Sequence, residues 1–95
     1  MSVNTDTIID SFSATEFRSV KYTIKAGGDL GYQALEVLLV HDGINSITTV
    51  YGSLSTAGVD LIALASTIVT GNVQLLATAV GPNTTVNLMA TYVPD

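Results

Sequence analysis

The sequence predicts an all-β fold, a single antiparallel β-sandwich of six to seven strands. Three observations predict it. Val, Ile and Thr make up 31 of the 95 residues, and β-branched side chains suit a pleated surface better than a helix, where they lose rotamer freedom. Apolar and polar residues alternate with a period of two along several segments, the signature of a strand with one wet face. Clusters of Gly, Asp, Asn and Pro interrupt the pattern about every ten residues, a spacing typical of sandwiches and small barrels. A jelly-roll-like or an immunoglobulin-like strand order would satisfy this pattern. The length suits one domain, 1–95.

Met1 to Thr7 are polar, and Ile8, Ile9, Phe12 and Phe17 are the first large apolar positions after Val3. Residues 1–11 therefore read in two ways. They form an N-terminal arm whose Ile8 and Ile9 anchor it on a neighbouring subunit, or a self-packed first strand that completes the sandwich. From Arg18 the alternation is clear, with Val20, Tyr22, Ile24 and Ala26 set against Ser19, Lys21, Thr23 and Lys25. Gly27-Gly28-Asp29 is read as its end, because glycine adopts the positive φ that turns require. Tyr32 to His41 is apolar on both faces: Leu35, Val37 and Leu39 on one, Ala34, Leu38 and Val40 on the other, with Glu36 among the second set. Such a strand is either central in a sandwich or covers a partner. Asp42-Gly43 closes it. Ile47 to Leu54 follows, with Val50 and Tyr51 at its middle, and Thr56-Ala57-Gly58 is the next break.

Asp60 to Thr70 is ambiguous. Leu61, Leu64, Ala65 and Ile68 fit a helical stripe, with Asp60 as N-cap and Gly71 just past the end. The β-branched run Thr67 to Thr70 and the turn pair Gly71-Asn72 favour a strand entering a hairpin. Val73 to Val80 is the partner strand, and Gly81-Pro82-Asn83 ends it. Thr84 to Val93 is the last strand, with Val86, Leu88, Ala90 and Tyr92 facing inward.

Charge excludes several functions. Three Lys and Arg against eight Asp and Glu leave a net charge of −5, so no basic stripe exists for nucleic acid or for an anionic membrane. Without Cys there are no disulfides or thiolate metal sites. No apolar run exceeds five residues, and the N-terminus lacks the pattern of a signal peptide. Solubility rests instead on 13 Thr, 8 Ser and 5 Asn. A surface with so few charges has a low desolvation cost when another protein covers it.

Catalytic and binding constellations are weak. His41 is the single histidine, and at a strand end beside a turn it reads as a turn or packing residue. Asp29, Asp42 and Asp60 lie at separate breaks without calcium-loop spacing. Gly27 to Gly31 lacks the lysine of a phosphate loop and is read as a turn. Glu36 either pairs with Arg18 or Lys21 on a neighbouring strand or faces solvent. Tyr22 and Tyr92 fall on inner faces, which leaves Tyr51 as the best tyrosine for a contact surface. No catalytic, cofactor-binding or metal residue is expected. The candidate interface residues are Ile8, Ile9 and Tyr51. A strand apolar on both faces, with a weakly charged surface, points to a homo-oligomer, most simply a trimer.

Five ordered blocks carry a resemblance: Phe17-Arg-Ser-Val-Lys-Tyr22, the run Tyr32 to Gly43, Val50-Tyr-Gly52, Gly71-Asn-Val-Gln-Leu-Leu-Ala-Thr78 and Asn83-Thr-Thr-Val86. Across residues 10–93 the series resembles a β-rich module of structural proteins in tailed bacteriophages, notably those infecting cyanobacteria. In large relatives the module is one domain of a fibre or baseplate-like chain; standing alone, it resembles a capsid cement or decoration protein. The resemblance implies a non-enzymatic virion protein on the outer capsid surface, present in the host cytoplasm during assembly. Its partners would be the major capsid protein or other virion proteins. The alternative is a tail fibre or baseplate module that contacts other tail proteins or host-surface glycans.

Overall fold

Side-chain alternation sorts the chain into seven strands: β1 (Asp6–Ser13), β2 (Phe17–Gly28), β3 (Gly31–His41), β4 (Ser46–Ser55), β5 (Ile62–Val69), β6 (Asn72–Ala79) and β7 (Thr85–Pro94). The computed structural model describes residues 3–94. The strands form two antiparallel sheets, β1-β6-β5 and β4-β3-β2-β7. Inward residues of both sheets meet in one core. Val20, Tyr22 and Ile24 of β2 and Leu35, Val37 and Leu39 of β3 pack with Phe12 of β1, Leu61 and Ile62 at the start of β5, and Val73 and Leu75 of β6. The protein is thus the β-sandwich expected from its alternation.

The larger sheet has a Greek-key relation: β2, β3 and β4 follow one another by hairpins, and β7 returns beside β2 after β5 and β6 have entered the other sheet. β1 lies beside β6, whereas an immunoglobulin domain sets its first strand beside its second. Alternation specifies which side chains point inward; it does not specify which strand is the neighbour.

Three segments refine the sequence reading. The ambiguous stretch 60–70 forms β5, paired with β6 from Ile62 opposite Ala79 to Val69 opposite Asn72. It pairs with β6 along its whole length, and its β-branched run Thr67 to Val69 suits that pleated surface. β2 does not stop at Gly27 but runs through Gly28. Its glycines serve close approach there: a Cβ on Gly27 would lie 2.9 Å from the Tyr32 ring, and one on Gly28 would lie 3.1 Å from the Thr84 backbone. Within residues 1–11, the described part from Asp6 onward belongs to β1 of the smaller sheet. β1 pairs with β6 from Asp6 opposite Thr78 to Ser13 opposite Asn72. Met1 and Ser2 lie outside the described residues.

The β5–β6 turn is Thr70-Gly71, one residue earlier than expected, with φ of +50° and +78°. Two positive φ values in a two-residue loop are those of a type I′ turn, whose twist matches the flanking strands. Thr70 is exposed and β-branched, so its left-handed backbone costs about 1–2 kcal/mol without a compensating contact. Thr70→Asn creates the preferred Asn-Gly pair. It is expected to raise the unfolding free energy by about 1 kcal/mol in urea denaturation with an unchanged m-value. Equal or lower stability would contradict this account of the turn.

Candidate functional site

A β-bulge in β1 builds the most polar part of the interior. The ladder with β6 shifts between Ile8 and Asp10. Ile8 consequently points outward and is 54% exposed, Ile9 packs against the core, and Asp10 turns toward the facing sheet. Its Oδ2 accepts hydrogen bonds from the hydroxyls of Tyr22 on β2 at 2.8 Å and Tyr92 on β7 at 2.6 Å. Burial first, then the adjacent Asp10 carboxylate, raises the Tyr22 phenol far above its ordinary value; the same two causes push Tyr92 up to about 12. Aromatic rings enclose this joint. Phe12 meets Tyr92 edge-on at 5.6 Å and Phe17 at 6.3 Å, while Phe17 and Tyr92 lie 4.9 Å apart.

His41 is buried at the same end. Gly43 N–H donates to its Nδ1 at 3.1 Å, which places the proton on Nε2, and Nε2 donates to the Phe17 carbonyl at 2.6 Å. Both ring nitrogens thus engage backbone, and Arg18 Nη1 reaches the His41 carbonyl at 3.3 Å. In the adjoining turn Asp42 accepts from Asn45 N–H at 2.7 Å and Ile44 N–H at 2.9 Å. These bonds, Asn45 foremost, hold its carboxyl below the usual range. Asp42 therefore favours the fold above its unfolded pKa, an advantage that fades as the pH falls through its folded value.

A second polar joint involves Gln33. Its amide donates to Ser53 Oγ at 3.0 Å and Asp60 Oδ1 at 2.9 Å, and its carbonyl accepts from Leu61 N–H at 2.7 Å. One buried side chain thereby ties β3 to β4 and to the crossover into β5. Sequence reasoning missed Gln33, although it shares the inward parity of Leu35, Val37 and Leu39. Every buried side-chain N or O among the described residues has a partner. No three His, Cys, Asp or Glu side chains among them gather as metal ligands would.

The outward side of the four-stranded sheet is different. An antiparallel sheet with one wet face is usually polar there. Here Leu38 and Val40 of central β3 are half exposed, with Ile47 (67%) and Leu54 (79%) of β4 and Tyr32 (63%) beside them. Met89 of β7 is 76% exposed on the same side, opposite Thr23. A shallow groove of about 490 Å³ runs between Tyr32, Ala34, Leu54 and Lys25. Lys21 and Lys25, two of the three cations, also face outward here. Glu36 is solvent-facing opposite Thr23 and is the one acid on this face among the described residues.

The three residues expected to form an interface are not brought together. Ile8 lies outside the smaller sheet, Ile9 is inside, and Tyr51 is the extra residue of a bulge in β4. Ile47, Leu54 and Met89 were missed, although the apolar second face of Tyr32 to His41 was already a signal for their neighbours. Comparison with protein-family models, curated proteins and solved structures gave no match to this chain.

Asp10→Ala leaves two phenols without their acceptor and is expected to cost about 3 kcal/mol of unfolding free energy, read by urea denaturation. A change below about 1 kcal/mol would show that the joint does not hold the sheets. Unfolded tyrosine ionises near pH 10, roughly, so the contribution of these neutral phenols is intact below that pH. It is lost as the pH rises toward the folded value of Tyr92, about 12, and beyond it for Tyr22. Stability is therefore expected to fall above about pH 10, and Tyr92→Phe should flatten that fall.

Proposed function

We propose that the chain is a non-enzymatic structural protein of a phage particle, a capsid cement or decoration protein. It lays the outward face of its four-stranded sheet on the outer shell and stabilises the capsid through the major capsid protein or other virion proteins. The observation that carries the reading is the apolar strip Leu38, Val40, Ile47 and Leu54, contiguous across the neighbouring strands β3 and β4 and open to solvent. Contiguous apolar surface marks an interaction site. The strip itself carries no charged side chain, so it is covered at little desolvation cost. The phage assignment rests on the five sequence blocks. Commitment of the Asp10 and His41 side chains to structural bonds supports a binding role over a catalytic one.

Binding to particles lacking the protein, followed by imaging, tests this. Density on the capsid shell is expected. Leu38→Thr combined with Val40→Thr keeps β-propensity and removes apolar contact. It should weaken shell binding about tenfold or more while changing unfolding free energy by less than about 0.5 kcal/mol. Density confined to the tail would move the module to a fibre or baseplate, and absence from particles would remove the phage reading.

A further inference from the structure

β4 is an edge of the four-stranded sheet, and β3 is its one neighbour. An edge strand presents unpaired backbone N–H and C=O groups, which proteins guard with charge, proline, brevity or a bulge. Ser46–Ser55 is ten residues long and contains no charged residue and no proline. The edge strand β1, by contrast, carries Asp6 and Asp10, β5 is shorter, and β7 ends in Pro94. A chain with net charge −5 can therefore meet its own copy along β4 without setting like charges against each other.

The remaining guard is the bulge, and its position favours self-pairing. Val50 lies opposite Val37 and Gly52 opposite Glu36, so Tyr51 is extra, at the centre of the strand. Before the bulge, Ile47 and Thr49 share the outward face with Val40 and Leu38; after it, Gly52 and Leu54 share that face with Glu36 and Ala34. Ser46, Thr48, Ser53 and Ser55 take the inward parity. A two-fold axis between Val50 and Tyr51 would set Ile47 opposite Leu54 of a second copy, Thr49 opposite Gly52, Thr48 opposite Ser53 and Ser46 opposite Ser55. Each of these pairs joins residues of the same face. A regular strand of this length, paired end to end with its copy, would set opposite faces together and have to slip by one residue. The bulge removes that mismatch.

We infer that β4 pairs antiparallel with β4 of a second copy of this chain, so that two four-stranded sheets become one continuous sheet. Ile47 and Leu54 of the two copies cover each other on its outward face. The arrangement is isologous and closes at two copies, where the sequence suggests a trimer. It rests on β4 alone and does not depend on the phage reading.

Sedimentation velocity and light scattering on the full chain, from micromolar to millimolar concentration, test it. A dimer is expected. Ile47→Lys with Leu54→Lys sets like charges across the axis and should raise the dimer dissociation constant about a hundredfold or more. Ile47→Lys with Leu54→Glu sets opposite charges across the same axis and should restore the dimer. Both pairs of substitutions fall on exposed positions, and the second controls for any loss of folding in the first. A wild-type monomer at millimolar concentration, a trimer, a dimer that survives the two lysines, or no recovery with the opposite charges would each overturn the inference.

Discussion

The sandwich depends on one shared acceptor. Asp10 belongs to the smaller sheet, while Tyr22 and Tyr92 belong to adjacent strands of the larger one. A carboxylate withdrawn from water is costly unless its oxygens are hydrogen-bonded. Two phenols meet that requirement here while their rings add to the core. Apolar packing alone is non-directional and would tolerate sliding of one sheet over the other. The two short bonds oppose such sliding, because they need β1 to stand over β2 and β7 at one register. The bulge at Ile9 makes this geometry available, since without it the alternation of β1 would send Asp10 outward along with Ile8.

The same economy recurs elsewhere. Gln33 serves three partners across β3, β4 and the crossover to β5, and His41 joins the ends of β2 and β3 to the turn that follows. Thr84 Oγ1 donates to the Gly81 carbonyl at 2.7 Å, while Asn83 reaches Asp29 across the β2–β3 turn. Each crossover between the sheets thus has a polar fastening nearby, and the apolar slabs lie between these points. Few charges are needed for folding, and on the outward face of the larger sheet Lys21, Lys25 and Glu36 stand among apolar and hydroxyl-bearing side chains. The apolar strip on β3 and β4 is not required by the core, which is already filled by the inward residues of the same strands.

Period-two alternation identified six strands and their inward residues, because burial of one face leaves its mark on every second position. Tyr22, Tyr92, Val86, Leu88 and Ala90 needed no tertiary information to be placed inside. The ambiguity of 60–70 is physical as well: Leu61, Leu64 and Ile68 satisfy both a helical and an extended pattern over so short a run. Only pairing with β6 separates the two, because that contact with a strand elsewhere in the chain is not written in the local pattern. Turn placement failed by one residue at Thr70 because a β-branched residue is a poor prior for positive φ; there the twist of the hairpin overrides local preference.

The sequence by itself determined the class of the fold, the inward and outward sets of most strands, and a surface poor in charge, since each is written in local composition and period. Tertiary structure alone decided that β1 lies beside β6 and β7 beside β2, that Asp10 serves two tyrosines, and that Gln33 is a buried joint. It also decided that Ile8, Ile9 and Tyr51 stand apart, while Leu38, Val40, Ile47 and Leu54 share one open face. The reason is that bulges and strand neighbours arise from contacts between residues far apart in the chain. One extra residue in β1 or β4 reverses which face a side chain occupies, and no periodicity within a single segment reports where that reversal falls.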